Sequence, residues 1–544
     1  MASRKLAIPW FLVAMVSIAA LPASAQSFRV QCPTSTITHP DPGNTGVNNS
    51  EPAYLGPTAY TTDPNGQYLV PKPGSANGAI KCQQVSGGDG YATMADGTQT
   101  FMFSFGPLSG LTDIANGLPG TQVPNVFNTM PLGQLVPGDP ATTDGIKANS
   151  WPGFPLSTAG FNWNGAVGLA PDADAIANGI CPAPCLDGHV DPRQIMDIGV
   201  MNGNIPAPLV AFDEDDEMFL TLTNVGMIMR PDLFEQHTIH FHGYPNASSL
   251  YDGVPDASVA INIGGSFTYY YLAPDAGTYF WHCHITPPEH LQMGMVGQLY
   301  VRPRQNRVPV GNSLYASLQA QQNDLRTACN PAADILCANP PPPSNTVTRA
   351  PKGNYAYNDG DGSTYYDVEY ALQIHGFDPN FHFVGMTFNP ENFATMKDKY
   401  FLLNGRSYPD TVTPGPLATQ SSDGRVHFSQ PLPSIINIPL GGRALLRIAD
   451  LDVSEYQTLA SLGIPMYVIG FNAKLLRDQT GNNLEYYTNS ITLGGGESLD
   501  VILDASDTGK YPSGSVFYLY TPNLDHLSND AENFGGLMTE VHIN

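Results

Sequence analysis

Short apolar runs, separated by turn residues, set the rhythm of this chain. Residues 217–223 (EMFLTLT), 266–271 (SFTYYY), 277–281 (GTYFW), 444–448 (ALLRI) and 499–503 (LDVIL) are rich in β-branched and aromatic side chains. Gly, Pro and Asn punctuate the stretches between them. Runs of this length and composition predict strands. Sustained 3.6-residue periodicity is scarce, and a helical piece is expected only around 314–325. An all-β architecture of sandwich or barrel domains follows.

The same pattern divides the chain. Residues 1–25 read as a signal peptide: Arg4 and Lys5 open an apolar stretch that ends at Ala23-Ser24-Ala25. Residues 26–98 are polar and rich in Gly and Pro, and read as an irregular extension. A strand near 100–104 opens a first domain, 99–303, interrupted by a Pro-, Gly- and Asn-rich insertion at about 107–190. Residues 304–363 form a linker, and their proline run at 340–343 is semi-rigid. A second β domain covers 364–544. Each domain has an Asn-Gly followed by Pro and a later Gly pair (Asn202-Gly203, Gly264-Gly265; Asn404-Gly405, Gly494-Gly495), which suggests two copies of one fold.

Composition narrows the function. The 544 residues hold 48 acids against 23 bases, a net charge of −25, with 54 glycines and 49 prolines. So acidic a chain is unsuited to nucleic acid or to anionic lipid. No stretch beyond the N-terminus approaches the roughly 20 apolar residues of a spanning helix. A mature protein free in the periplasm, at the cell surface or outside the cell is expected. Oxidising conditions would let cysteines pair, and six of the seven lie in local twos: Cys32 and Cys82, Cys181 and Cys185, Cys329 and Cys337. Their connectivity stays open. The seventh, Cys283, stands between His282 and His284.

Two segments concentrate the chemistry. His237-Thr238-Ile239-His240-Phe241-His242 places three of the chain's 13 histidines within six residues. His282-Cys283-His284 is followed by His290 and Met295. In a strand, side chains alternate between faces. His240 and His242 then share a face with His237 opposite, and His282 and His284 share a face with Cys283 opposite. One face could serve one metal and the other face a second. Cys283, His237 and His290 supply a thiolate and two imidazoles, with Met295 as a weak axial thioether. That is the ligand set of a blue-copper site. A lone Cys with a Met fits zinc poorly. His240, His242, His282 and His284 are candidates for further copper.

This constellation resembles the multicopper oxidases. Residues 201–208 (MNGNIPAP), 252–255 (DGVP), 265–269 (GSFTY) and 277–284 (GTYFWHCH) are similar to that superfamily's motifs, and together they cover about 195–303. The second domain is less similar, in 401–405 (FLLNG) and 466–470 (MYVIG). The resemblance implies tandem cupredoxin-like Greek-key β-barrels. It implies type 1 copper at His237, Cys283, His290 and Met295, and type 2 or type 3 copper at His240, His242, His282 and His284. It also implies one-electron oxidation of a small-molecule or metal-ion reductant, or of a redox protein, through an exposed His290, with dioxygen as acceptor. The alternatives are a blue-copper electron carrier and a copper nitrite reductase-like enzyme. A homo-oligomer sharing ligands is a further expectation.

The sequence departs from the family in two places. His290 follows Cys283 by seven residues, where the usual position is Pro288. The family's two further His-x-His pairs are missing; the second domain has only isolated His375, His382, His427, His526 and His542. Two other features carry expectations. The run Asp213-Glu214-Asp215-Asp216-Glu217 reads as a solvated turn, and Met227, Met229 and Met293 read as core residues or a cuprous-ion site.

Overall fold

A computed structural model describes residues 36–40, 52–107, 162–164, 167–169, 190–191 and 203–544, the last without 228, 246–247, 264, 274, 322, 327–341, 388–389 and 421–425. The signal-peptide segment, most of the 107–190 insertion and the side chains of the six candidate disulfide cysteines lie outside the described residues. The described chain is dominated by strands, as its short apolar runs require. Among the described residues, no helix is long and apolar enough to cross a membrane.

The first domain is a sandwich of two four-stranded sheets. We number its strands β1 (Ile80–Thr93), β2 (Gln99–Pro107), β3 (Ala207–Asp213), β4 (Glu217–Gly226), β5 (His240–His242), β6 (Ser266–Leu272), β7 (Gly277–His282) and β8 (Val296–Arg302). One sheet runs β5-β7-β8-β3 and the other β6-β4-β1-β2. Both are mixed, because β8 pairs β3 and β1 pairs β4 in parallel. Phe103, Phe105, Leu220, Leu222, Phe241, Tyr269, Trp281 and Leu299 fill the space between them. Met227 and Met293 are buried in this core and Met229 packs on it.

Residues 80–93 fall inside the stretch read as irregular, yet β1 is a 14-residue strand flanked by β4 and β2. Glycines hide it. Gly87, Gly88 and Gly90 break the alternating pattern, and a side chain at two of them would collide. A Cβ at Gly87 would stand 2.6 Å from the His237 ring, and one at Gly90 2.8 Å from the Gly203 carbonyl oxygen.

The acidic run is not solvated. All five side chains of 213–217 are buried. Lys81 Nζ lies 2.7 Å from Asp216 and 3.2 Å from Asp213, and Arg304 and Arg307 each reach Asp215 at 2.6 Å. Glu214 accepts from the Arg304 amide at 2.6 Å and from Asn358 at 2.7 Å. Burial raises the Asp215 carboxyl, but Arg304 and Arg307 outweigh it and hold the carboxyl well below its usual range. The run is a buried knot tying the sandwich to the segment that follows it.

Among its described residues that segment has an α-helix, Leu314–Gln321, in the region expected to be helical. The second domain again stacks two sheets. Its strands are β9 (Val368–Phe377), β10 (Tyr400–Leu403), β11 (Ile436–Ile438), β12 (Arg443–Asp450), β13 (Gln457–Leu462), β14 (Met466–Phe471), β15 (Ser490–Leu493), β16 (Glu497–Asp504), β17 (Val516–Tyr520) and β18 (Met538–Ile543). One sheet contains β10-β9-β12-β16-β14, and the other runs β11-β18-β17-β13-β15. Their core includes Leu372, Leu446, Ile448, Leu459, Val468, Val501 and Val541.

The domains pack closely. Met102, Ile205, Phe280 and Val296 of the first share an apolar cluster with Phe377, Tyr400, Leu402 and Leu451 of the second. Polar contacts reinforce it: Thr278 Oγ1 donates to Asp500 at 2.5 Å, and Ser498 Oγ to the Thr278 carbonyl at 2.7 Å.

Candidate metal centre

Two histidine clusters sit on opposite faces of the sheet β5-β7-β8-β3. Antiparallel pairing of β5 with β7 sets His240 opposite His282 and His242 opposite Phe280. Just beyond β7, alternation turns Cys283 into the sandwich core. Its neighbours His282 and His284 turn outward to line a pocket with His240 and His242.

The inner cluster joins His237, Cys283 and His290, whose ligand atoms all lie within 4.8 Å of one another. His237 is fixed by backbone hydrogen bonds in both directions with Ile261, at 3.1 and 2.9 Å. The Thr238 amide donates to Cys283 Sγ at 3.4 Å, and His290 Nδ1 lies 3.2 Å from the same sulfur. Met295 is fully buried, and its carbonyl accepts from the Cys283 amide at 3.2 Å. The two residues that lengthen the Cys283–His290 spacing lie in a turn and a short helix, α1 (Pro287–Gln292), which carries His290. Thr286 enters that helix in the left-handed region, at φ 37°.

His290 is not exposed. It is fully buried, with Phe103 edge-on at 5.1 Å. Its Nε2 lies 3.4 Å from Glu235 Oε2, and that carboxylate is the partly exposed group. Glu289 and Glu391 stand beside it, hydrogen-bonded to each other. Burial, then Glu391 and Glu235, push the Glu289 carboxyl up to about 7. Local pattern gave no signal for Glu391, which comes from the second domain.

Electrostatics in the inner cluster suit a metal. Burial pushes His237 down to about 3, so its ring is neutral at ordinary pH. Burial also lowers His290, but the adjoining Cys283 and Glu235 raise it to about 10. Burial raises the Cys283 thiol, and His290 more than reverses that. The imidazole beside the sulfur favours its thiolate form, the form in which a cysteine binds a metal. Both ring nitrogens of His237 are buried without a hydrogen-bond partner among the described residues. An unsatisfied buried polar atom is costly, and a ligand bond would satisfy one of the two.

The outer cluster joins His240, His242 and His282, again within 4.8 Å. His284 lies beside them, its ring 5.1 Å from His240. His240 Nδ1 is 2.6 Å from the Asp252 carbonyl, and His282 Nδ1 is 2.7 Å from the Cys283 carbonyl. Those bonds orient each ring and leave its Nε2 for a metal. Burial lowers His242 to about 4 and His282 to about 3. The second domain forms the far wall of the pocket with Leu451, Asp452, Val453, Gly495 and Gly496. Asp452 was not foreseen, since nothing in its local sequence marks it.

The profile of the multicopper oxidase family matches residues 187–306, which contain every one of these candidate ligands. Residues 187–306 thus carry a multicopper oxidase domain. Among curated proteins, laccase abr2 of Aspergillus fumigatus is 35% identical over 128 residues, 23% of this chain and 20% of that protein. Multicopper oxidase MCE of Talaromyces pinophilus is 32% identical over 143 residues, 26% of this chain and 22% of that protein. The matched stretch spans about a fifth of the length of these relatives. A solved multicopper oxidase, mgLAC, aligns over 86% of this chain and 87% of its own, with 16% identity and a TM-score of 0.46. Copper is the cofactor that a multicopper oxidase domain implies. The donor atoms fit it: thiolate and thioether suit Cu(I), and imidazoles accommodate Cu(II).

Proposed function

We propose that this chain is an exported copper-dependent oxidoreductase of multicopper oxidase type. It takes single electrons from a small-molecule or metal-ion reductant and passes them to a second copper centre, with dioxygen as the acceptor. The ligands are His237, Cys283, His290 and Met295 at the electron-entry site, and His240, His242, His282 and His284 at the second. One observation carries this reading. Cys283 faces the inner cluster while both residues bonded to it, His282 and His284, face the outer one.

Bound copper supplies reversible one-electron chemistry between Cu(I) and Cu(II). The chain's own residues do the rest. Cys283, His237 and Met295 are sealed in the core, which excludes water and limits rearrangement between oxidation states. His290 presents only its Nε2 edge toward the surface, under Glu235. The peptide linking Cys283 to its neighbours is a short covalent path to the second site. Carboxylates of Glu235, Glu289 and Glu391 around the entry point favour a cationic reductant.

The test is to load the full chain with copper and compare it with Cys283→Ser. The wild type is expected to show an intense thiolate-to-copper absorption that a reductant bleaches and oxygen restores. Cys283→Ser is expected to lose the absorption and the oxygen uptake together. A blue band that survives Cys283→Ser, or a wild type without one, would sink the assignment.

A further inference from the structure

The two missing His-x-His pairs raise the question of how many ions the outer pocket can take. His240, His242 and His282 converge on a single point, with ligand atoms within 4.8 Å of one another. Their outer nitrogens are anchored, at His240 by the Asp252 carbonyl and at His282 by the Cys283 carbonyl. A cluster of several ions needs further imidazoles across the pocket. That side is the chain's own second domain, which presents Leu451, Asp452, Val453, Gly495 and Gly496. The wall is close: a Cβ on Gly496 would touch the His242 ring at 3.6 Å. The second domain of the same chain therefore occupies the side on which further imidazoles would have to stand.

None of the other described histidines lines this pocket. His382 spans the Phe101 and Gln292 carbonyls. His526 bonds Gln457 and Glu455, each at 2.9 Å, and stacks on Phe401. His542 bonds Glu540, His39 bonds the Gly78 carbonyl, and His375 is buried against the Leu451 carbonyl. His189 and the His427 side chain lie outside the described residues, and neither belongs to a His-x-His pair.

We infer that the outer pocket is a mononuclear copper site, walled by the second domain of the same chain, in place of the several type 2 and type 3 coppers that a multicopper oxidase domain with its further His-x-His pairs would hold. The inference rests on the proposed function for the presence of copper at both clusters. It gives two ions per chain, one held by each ligand cluster.

Copper and protein are measured on one sample of the full copper-loaded chain, with double integration of the EPR spectrum of its oxidised form. Two isolated Cu(II) ions each contribute one spin, whereas a bridged pair couples and is silent. The expected result is two coppers and two spins per chain. His242→Ala is expected to retain one copper and the blue absorption. More than two coppers per chain, copper in excess of spins, a single copper in the wild type, or two coppers retained by His242→Ala would each overturn the inference. The wild-type count decides even if His242→Ala folds poorly. Failure of the underlying reading looks different: the blue absorption is then absent, or indifferent to Cys283→Ser.

Discussion

The backbone of Gly87 packs so close to the imidazole of His237 that a Cβ there would sit 2.6 Å from Cδ2 of the ring. A glycine in the middle of β1 thus shapes the seat of a proposed copper ligand 150 residues later in the chain. Gly87→Ala must push the ring or the strand aside. Overpacking of this kind costs about 1–3 kcal/mol. The expected outcome is a lower Tm with weakened copper retention at the blue site, read by metal analysis after dialysis against a chelator. Unchanged copper retention would show that the close approach does not hold the ligand.

Arg304 is expected to matter more for stability than any surface arginine. It is fully buried and pairs with Asp215 at 2.6 Å. Arg304→Met leaves buried carboxylates short of a partner, a loss of about 3–5 kcal/mol. Urea unfolding measures it. A loss below about 0.5 kcal/mol, the usual figure for a surface position, would return the acidic run to a solvated turn.

The contact between domains is expected to weaken in acid. Glu369 of the second domain lies 2.8 Å from Arg302 of the first and 3.1 Å from Arg447. Burial raises its carboxyl, but the two guanidinium groups hold it down to about 2. Its folded pKa is depressed below the unfolded value. Its contribution is therefore complete above about pH 4.5 and is lost as pH falls through about 2. The amount is on the order of 3 kcal/mol. Comparing wild type with Glu369→Gln over this range should show a steeper loss in the wild type. Parallel profiles would remove Glu369 as the source.

The entry site is expected to prefer cations. The net charge is −25, and three carboxylates surround the buried His290. Between reductants of matched potential, the cation should have the higher kcat/KM, and added salt should erase the difference. Glu391→Gln should lower kcat/KM for the cation several-fold with little change in kcat. Equal rates for cation and anion at low salt would exclude steering.

Much of the proposed site was legible because strand geometry is local. The spacing of His240 with His242, and of His282 with Cys283 and His284, assigns faces through alternation alone. The fold class followed from the same short apolar runs. What was misread depends on distant partners. The strand at 80–93 was missed because glycines erase the alternation, and they are there to admit the His237 ring and the Gly203 backbone. His290 was expected at the surface, but Glu235 and Phe103 cover it.

The sequence by itself determined the types of the proposed ligands, their order and the side of the strand each one faces, since each rests on near neighbours in the chain. Only the tertiary structure decided their surroundings. Lys81, Arg304 and Arg307 come from outside the acidic run to bury it. Leu451, Asp452 and Gly496 come from the second domain to wall the outer histidine pocket. The physical reason is the same in each case. Desolvation and closure depend on which surfaces pack together, and residues that meet across two domains leave no local pattern to read.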